Sequence, residues 1–435
     1  MTFLDSRRCE VVLPETVLQE GSSVHGFHLA PWEKQQEYWE SLKETETSAQ
    51  GSPVSLSRMQ KAALGQFCCM GDWLRRQGHR GVQPKLFEGV PDSSKIRQGR
   101  VTDCSLMSVL SVLADYERHF GEPVLRSILQ PAIISHGPGT EAQHYACRLF
   151  VNGMARRVVV DDIVPVATNG RLLCAHSAIP QELWVVLIEK AIAMIMGGSY
   201  AMRGSNPCTD AFHITGWIPE TFPLRPDCEG APSSEAEFME MFDAAQRGFR
   251  EGHCVVCLGT TELADATTNE LAVRSGHVEG VSVSTGLVAG HAYPVLRCCT
   301  EQGRRLLFLK NPWGHTRWKG KFSPGDAQWN ANPGLAEALN YDSAAAASKD
   351  DGSFWIAWEE VLQFFSHFYV AWSPTALCLN SATVHGCWNP WPHFVHSTLT
   401  DDTDLLAFNP QCLGLRFKVS GLGVALWVLG LRVHR

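Results

Sequence analysis

The chain has 435 residues, a net charge of −8, a pI near 6.1 and fifteen cysteines. That length supports two or three domains with real cores, and an acidic balance without a basic cluster argues against a nucleic-acid partner. No run of 18 apolar residues reads as a membrane span, and the first residues, MTFLDSRRCE, lack the apolar core of a signal peptide. The cysteines are odd in number and scattered singly or as adjacent pairs, which reads as free thiols in a reducing compartment, the cytoplasm.

Residues 1–85 read as an N-terminal extension and linker. Within it, Trp32–Lys43 has the spaced aromatics of a short helix, Gln50–Ser57 is a Gly/Ser/Pro linker, and Arg58–Gly78 is a further helix. No long three-helix pattern is visible there. The next stretch, Gln98–Phe120 (QGRVTDCSLMSVLSVLADYERHF), brings a glycine loop to Asp103, a good N-cap residue, with Cys104 at the first helical position. Leu106, Val109, Leu110 and Leu113 then recur at helical spacing, which predicts one buried face. A thiol there lies over the positive end of the helix dipole, which favours thiolate.

Val124–Leu129 is a helical piece broken by Pro131. His144–Phe150 and Arg156–Asp161 read as a hairpin around Asn152-Gly153. Glu182–Met196 is an apolar helix closed by Gly197-Gly198, with Trp184, Leu187, Ile188 and Ala191 in the core. Beyond about residue 216 the pattern turns to short strands, with one helix at Phe238–Phe249. Cys254-Val255-Val256-Cys257 lies in an apolar run with no second pair at zinc-ligand spacing, so it reads as a buried strand.

Thr260–Ser275 reads as a mobile polar loop. Tyr293–Leu296 and Arg305–Lys310 are strands, Ser343–Asp351 is exposed, and strand Phe354–Trp358 precedes helix Glu359–Phe365. From about 377 the chain reads as strands and turns. It is too short there for a complete β-sandwich, which reads as a truncated product.

Gly290-His291-Ala292-Tyr293 opens one strand, and the strand ending at Lys310 delivers Asn311-Pro312-Trp313-Gly314. A helix-start Cys, a strand-start His and a strand-end Asn are the groups that nucleophile, base and orienter require. Taken singly, each has a plainer use: a buried thiol, a strand histidine, a turn asparagine.

Four blocks, QGRVTDCSL, GHAYPVL, LKNPWGHTRWKGKFS and DGSFWIAWEEVLQFF, resemble the signature blocks of the calpain cysteine proteases. With GRLLCAHS, ELWVVLIEKA and GSNPCTDAFHITGWIPE, the chain is similar to the calpain-7-like (PalB-type) branch from about Gln98 to Pro374. The resemblance implies an α+β fold with a papain-like core in two subdomains. The mostly helical first spans 86–215 with the Cys, and the β-rich second spans 216–376 with the His and Asn. An incomplete β-sandwich would follow over 377–435.

The implied function is limited proteolysis of protein substrates inside the cell. Cys104 would be the nucleophile, His291 the acid and base, and Asn311 the group orienting the imidazole. Gln98, six residues before Cys104, would supply an oxyanion donor, and Trp313 would line the substrate cleft. The branch also implies links to endosomal sorting components, and no cofactor is expected. Calcium-activated calpains align their subdomains with calcium held by carboxylates. Here Glu182 matches one such position, but Lys95, Arg317 and Ser353 stand where acidic residues are expected, which opposes tight calcium sites. Two rivals are a silent adaptor that keeps the fold without cutting, and a transglutaminase-like acyl transferase. Asn311, where such a transferase carries Asp, speaks against the second.

Overall fold

A computed structural model of the chain describes residues 54–375 apart from 133–141, 152, 203, 226–230 and 269–278. It also describes short stretches at 9–12, 23–25, 27–32, 385–388, 417–418, 425–426 and 431–433. The helix expected over Trp32–Lys43, nearly all of the expected sandwich and the end of the expected loop Thr260–Ser275 lie outside the described residues.

Helix α1 (Arg58–Ala63) starts on a capping box. The Ser57 hydroxyl accepts the Gln60 N–H at 3.2 Å, and the Gln60 side chain accepts the Ser57 N–H at 2.8 Å. The helix expected over Arg58–Gly78 then breaks, because strand β1 (Leu64–Cys69) follows and α2 (Met70–Arg76) comes only after it. The backbone of β1 is claimed by an antiparallel partner, Ile163–Ala167, roughly a hundred residues on in the chain.

Helix α3 (Cys104–Phe120) was expected to bury one face. Instead every residue from Ser105 to Ala114 is buried. Neighbours on several sides enclose it, so its serines need internal partners, and Ser111 donates to the Met107 carbonyl at 2.8 Å. Strands β2 (His144–Val151) and β3 (Met154–Asp161) form the expected hairpin, with Val151 opposite Met154 and Gly153 at φ +73. β4 is Ile163–Ala167, the partner of β1. Helix α4 (Trp184–Ile195) is buried over almost its whole length, and α5 (Pro207–Thr215) starts on Asn206, whose side chain accepts the Thr209 N–H.

Strand β5 (Ile218–Pro223), helix α6 (Glu235–Arg250) and strand β6 (Cys254–Gly259) follow. Then come β7 (Ala292–Glu301), β8 (Arg304–Lys310), β9 (Ser353–Ala357), α7 (Trp358–Phe364) and β10 (His367–Trp372). Cys254 and Cys257 are buried in β6, as the apolar run predicts. The exposed stretch before β9 carries a short helix, Ser343–Ser348, started by the Asp342 side chain.

These strands make one antiparallel sheet in the order β5-β10-β6-β7-β8-β9. β7 runs well past the expected Leu296. It bulges between Val295 and Arg297, then turns into β8 through Gln302 and Gly303, both at positive φ.

One apolar core surrounds α3 and α4; another lies on the sheet, around Phe242, Tyr293, Trp358 and Phe368. Each such side chain contributes roughly 1.5–3 kcal/mol on burial. α3 packs on β7 and β6, which brings its first turn to the end of the sheet where β7 begins and β8 ends.

Candidate active site

β7 and β8 are antiparallel neighbours, so the residue before β7 and the residue after β8 share one end of the sheet. Those residues are His291 and Asn311, buried to 2% and 0% exposure. Asn311 Nδ2 donates to the Thr316 carbonyl at 2.8 Å, which leaves Oδ1 as acceptor. Oδ1 meets His291 Nε2 at 3.0 Å and also accepts the Trp313 N–H at 3.1 Å. An acceptor opposite Nε2 puts the imidazole proton there, so Nδ1 carries the lone pair. That Nδ1 is buried without a hydrogen-bond partner among the described residues.

The histidine backbone is equally fixed. Its N–H donates to Thr260 Oγ1 at 3.0 Å, and its carbonyl accepts the Thr260 N–H at 2.9 Å. The Trp313 ring covers the imidazole, with centroids 5.0 Å apart, and Tyr293 meets it edge-on at 5.1 Å.

Cys104 heads α3, with its thiol half-buried against the start of β7. Burial pushes that thiol up to about 12, while a hydrogen bond from the Ala292 backbone, next to His291, pulls it down. Burial pushes His291 down to about 4, against the upward pull of its bond to Asn311. In this state both groups are neutral.

Gln98 is buried beside them. Its Nε2 donates to the Val101 carbonyl at 3.0 Å and to Asp103 Oδ1 at 3.1 Å, and its Oε1 has no partner among the described residues. The Gln98 N–H reaches the Pro312 carbonyl at 3.4 Å, tying this loop to the one carrying Asn311. A Cβ on the adjacent Gly99 would lie 2.4 Å from the Cys174 backbone, so only glycine lets the loop pass there.

The sequence singles out no role for three acidic groups buried near Cys104: Asp103 as more than a cap, Glu189 on α4 and Asp210 on α5. Ser105 donates to Asp210, which gives the residue after Cys104 a polar partner. Of the four positions matched to calcium ligands, three carry Lys95, Arg317 and Ser353, which bring no carboxylate. Glu182 accepts the Glu88 N–H at 2.9 Å and the Ser177 hydroxyl, so both oxygens are engaged. Arg317 places its guanidinium on the carbonyls of Ala346, Ala347 and Lys349. Among the described residues no three His, Cys, Asp or Glu side chains converge on a metal site.

The family profile described as "Calpain family cysteine protease" matches residues 54–371. The chain belongs to the calpain family of cysteine proteases. Calpain-7 of Mus musculus is 36% identical over 338 residues, 78% of this chain and 38% of the relative. Calpain-7 of Homo sapiens is 35% identical over the same shares. The calpain-like protease palB/cpr-8 of Neurospora crassa is 28% identical over 85% of this chain and 37% of its own length. The chain therefore spans under two fifths of these relatives and sits with the calpain-7-like, PalB-type branch of the family.

Proposed function

We propose that this calpain-family chain is an intracellular cysteine endopeptidase that makes limited cuts in protein substrates. Cys104, His291 and Asn311 would act as its triad, in a cleft between a helical half around α3 and a β-rich half built on the sheet. The observation that carries this reading is the Asn311–His291 hydrogen bond. It fixes the tautomer, so the free Nδ1 lone pair is the one able to take the Cys104 proton. Proton transfer from Sγ to Nδ1 would create thiolate and imidazolium together, as one coupled event.

The thiolate would attack the scissile carbonyl, and His291 Nδ1–H would then protonate the leaving amine. Hydrolysis of the thioester by water would return the proton to the enzyme. The Cys104 N–H and Gln98 amide would hold the oxyanion once that amide swings away from Val101 and Asp103. Trp313 would shield the imidazolium and line the cleft. No step is assigned to calcium. The free cysteines among the described residues support a cytoplasmic setting, and endosomal sorting components belong to this proposal as partners.

One observation favours the rival, a protease fold that binds without cutting: the Gln98 amide spends its donors inside the protein. Labelling with an epoxide of the E-64 type, mapped by peptide mass, separates the two. The peptidase labels at Cys104 far faster than at its other thiols, and His291→Ala slows that labelling by roughly 10²–10⁴-fold. Labelling at Cys104 no faster than elsewhere would leave the adaptor.

A further inference from the structure

Directly behind the proposed nucleophile, two carboxyl groups meet with no cation between them among the described residues. Asp103 at the start of α3 and Glu189 on α4 are both buried, at 3% and 0% exposure. Asp103 Oδ1 accepts from Gln98, and Glu189 Oε1 accepts the Ala175 N–H at 2.9 Å. Among the described residues no donor reaches the remaining oxygens, Asp103 Oδ2 and Glu189 Oε2, and the two side chains lie within hydrogen-bonding reach of each other. Two carboxyls bond only if a proton lies between them.

We propose that Glu189 is a positioning residue for the Cys104 chemistry. It is a buried carboxylic acid that donates its proton to the Asp103 carboxylate and so holds the Gln98 loop and the first turn of α3 in register. This rests on the peptidase reading, because a silent fold has no need of that register.

The direction of the shared proton follows from the surroundings. Burial raises both groups. Asp103 sits at the N-terminus of α3, where the helix dipole favours a carboxylate, and already accepts the Gln98 amide, whereas Glu189 lies within α4, so Glu189 keeps the proton. Asp210 faces Asp103 from α5, itself raised by burial, with a bond from Ser105 and the charge of His213 working against that. Cys174 and Tyr200 face Glu189 from the neighbouring segments, and burial raises both, so they stay neutral. Lys190, next on α4, turns away to Asp161 and the Ile163 carbonyl. The cavity beside Asp103 and Asp210 is about 10 Å³, barely room for one water, so no ligand competes for the pair.

The role predicts a particular pH signature. A carboxyl that holds its proton more tightly in the folded chain takes stability away as pH rises from its unfolded range to its folded one. Once Glu189 loses that proton, two carboxylates face each other and the register is lost. Glu189→Gln keeps both a donor to Asp103 and an acceptor for Ala175, without a titrating proton; Glu189→Leu keeps neither.

The full chain would be compared as wild type, E189Q and E189L between pH 5 and 10, by epoxide labelling rate at Cys104 and by melting temperature. The expected ratio of E189Q to wild-type labelling is near one at pH 6 and rises severalfold toward pH 10. The wild-type melting temperature falls more steeply with pH than that of E189Q, and E189L labels slowly throughout. Parallel pH slopes for wild type and E189Q in both measurements, or E189Q as impaired as E189L at pH 6, would overturn the proposal. A wild-type Cys104 no more reactive than the other thiols would instead sink the peptidase reading, and the melting slopes would still decide whether the proton is shared.

Discussion

At the scale of single residues, the site shows how little of a side chain's role its identity discloses. Asn311 before a proline is by itself a turn residue. What suits it to the proposed orienting role is the Thr316 carbonyl on its Nδ2, which turns Oδ1 toward His291. Gln98 is the residue whose geometry departs furthest from the role assigned to it, since its amide is bonded to Val101 and Asp103. If it nevertheless swings to the oxyanion, Gln98→Ala lowers kcat by about 10²–10³-fold with little change in KM, the pattern of a donor used only in the transition state. Steady-state kinetics on a peptide substrate checks this, and an unchanged kcat would remove Gln98 from the chemistry. The placement of Cys104, His291 and Asn311 at element ends was legible because each begins or ends an apolar run. Glu189 was not: in ELWVVLIEKA it looks like one more charge on a helix, and only the fold shows it facing Asp103.

At the scale of elements, local pattern failed where a distant partner claims the backbone. Nothing within Arg58–Gly78 announces β1; its partner β4 is supplied much later in the chain. The hairpin around Gly153, by contrast, carries its own turn signal, and the structure pairs it as expected. The periodicity predicts one buried face for α3, because it sees only the apolar positions. Ser105, Ser108 and Ser111 are buried as well, among neighbours no local window contains.

The loop before α3 obeys a similar non-local constraint. Gly99 lies against the backbone of Leu173 and Cys174, while the Arg100 N–H donates to the Leu173 carbonyl at 2.7 Å. Gly99→Ala forces that backbone apart and moves Gln98 and Cys104 with it. The expected outcome is a stability loss of roughly 1–3 kcal/mol by denaturant unfolding, as for other overpacked sites. Epoxide labelling at Cys104 should fall by about 10²-fold, the cost of a misplacement near 1 Å. Wild-type labelling in the folded variant would show that the loop adapts without cost to the site.

At the scale of the whole molecule, the question is what keeps the Cys-bearing segment aligned with the strands that bear His291 and Asn311. Three of the four positions matched to calcium ligands, Lys95, Arg317 and Ser353, bring no carboxylate, and Arg317 grips carbonyls instead. One covalent neighbour of the site offers an alternative. Lys310, the last residue of β8 and the one before Asn311, is buried to 3% exposure and donates to the Ser93 carbonyl, 217 residues away in the chain. Ser93 begins the short turn that leads into Gln98.

Burial, helped by the nearby charge of Arg97, pushes Lys310 down to about 8, with Asp351 and Asp92 pulling it up. A lysine with a lowered folded pKa costs stability while it is charged. That cost is constant below about pH 8 and fades as pH climbs toward the unfolded lysine range. Lys310→Met therefore removes a burial cost along with a hydrogen bond, and leaves the Ser93 carbonyl unsatisfied at about 1–3 kcal/mol. The net change in melting temperature should be small and shift against the mutant at high pH, where the wild type is relieved of its cost. Cys104 labelling should fall by about tenfold or more, because the loop bearing Gln98 and the strand bearing Asn311 are no longer tied. Added calcium should not restore it. Full labelling of Lys310→Met, or rescue by calcium, would show that alignment rests on other contacts than this buried lysine.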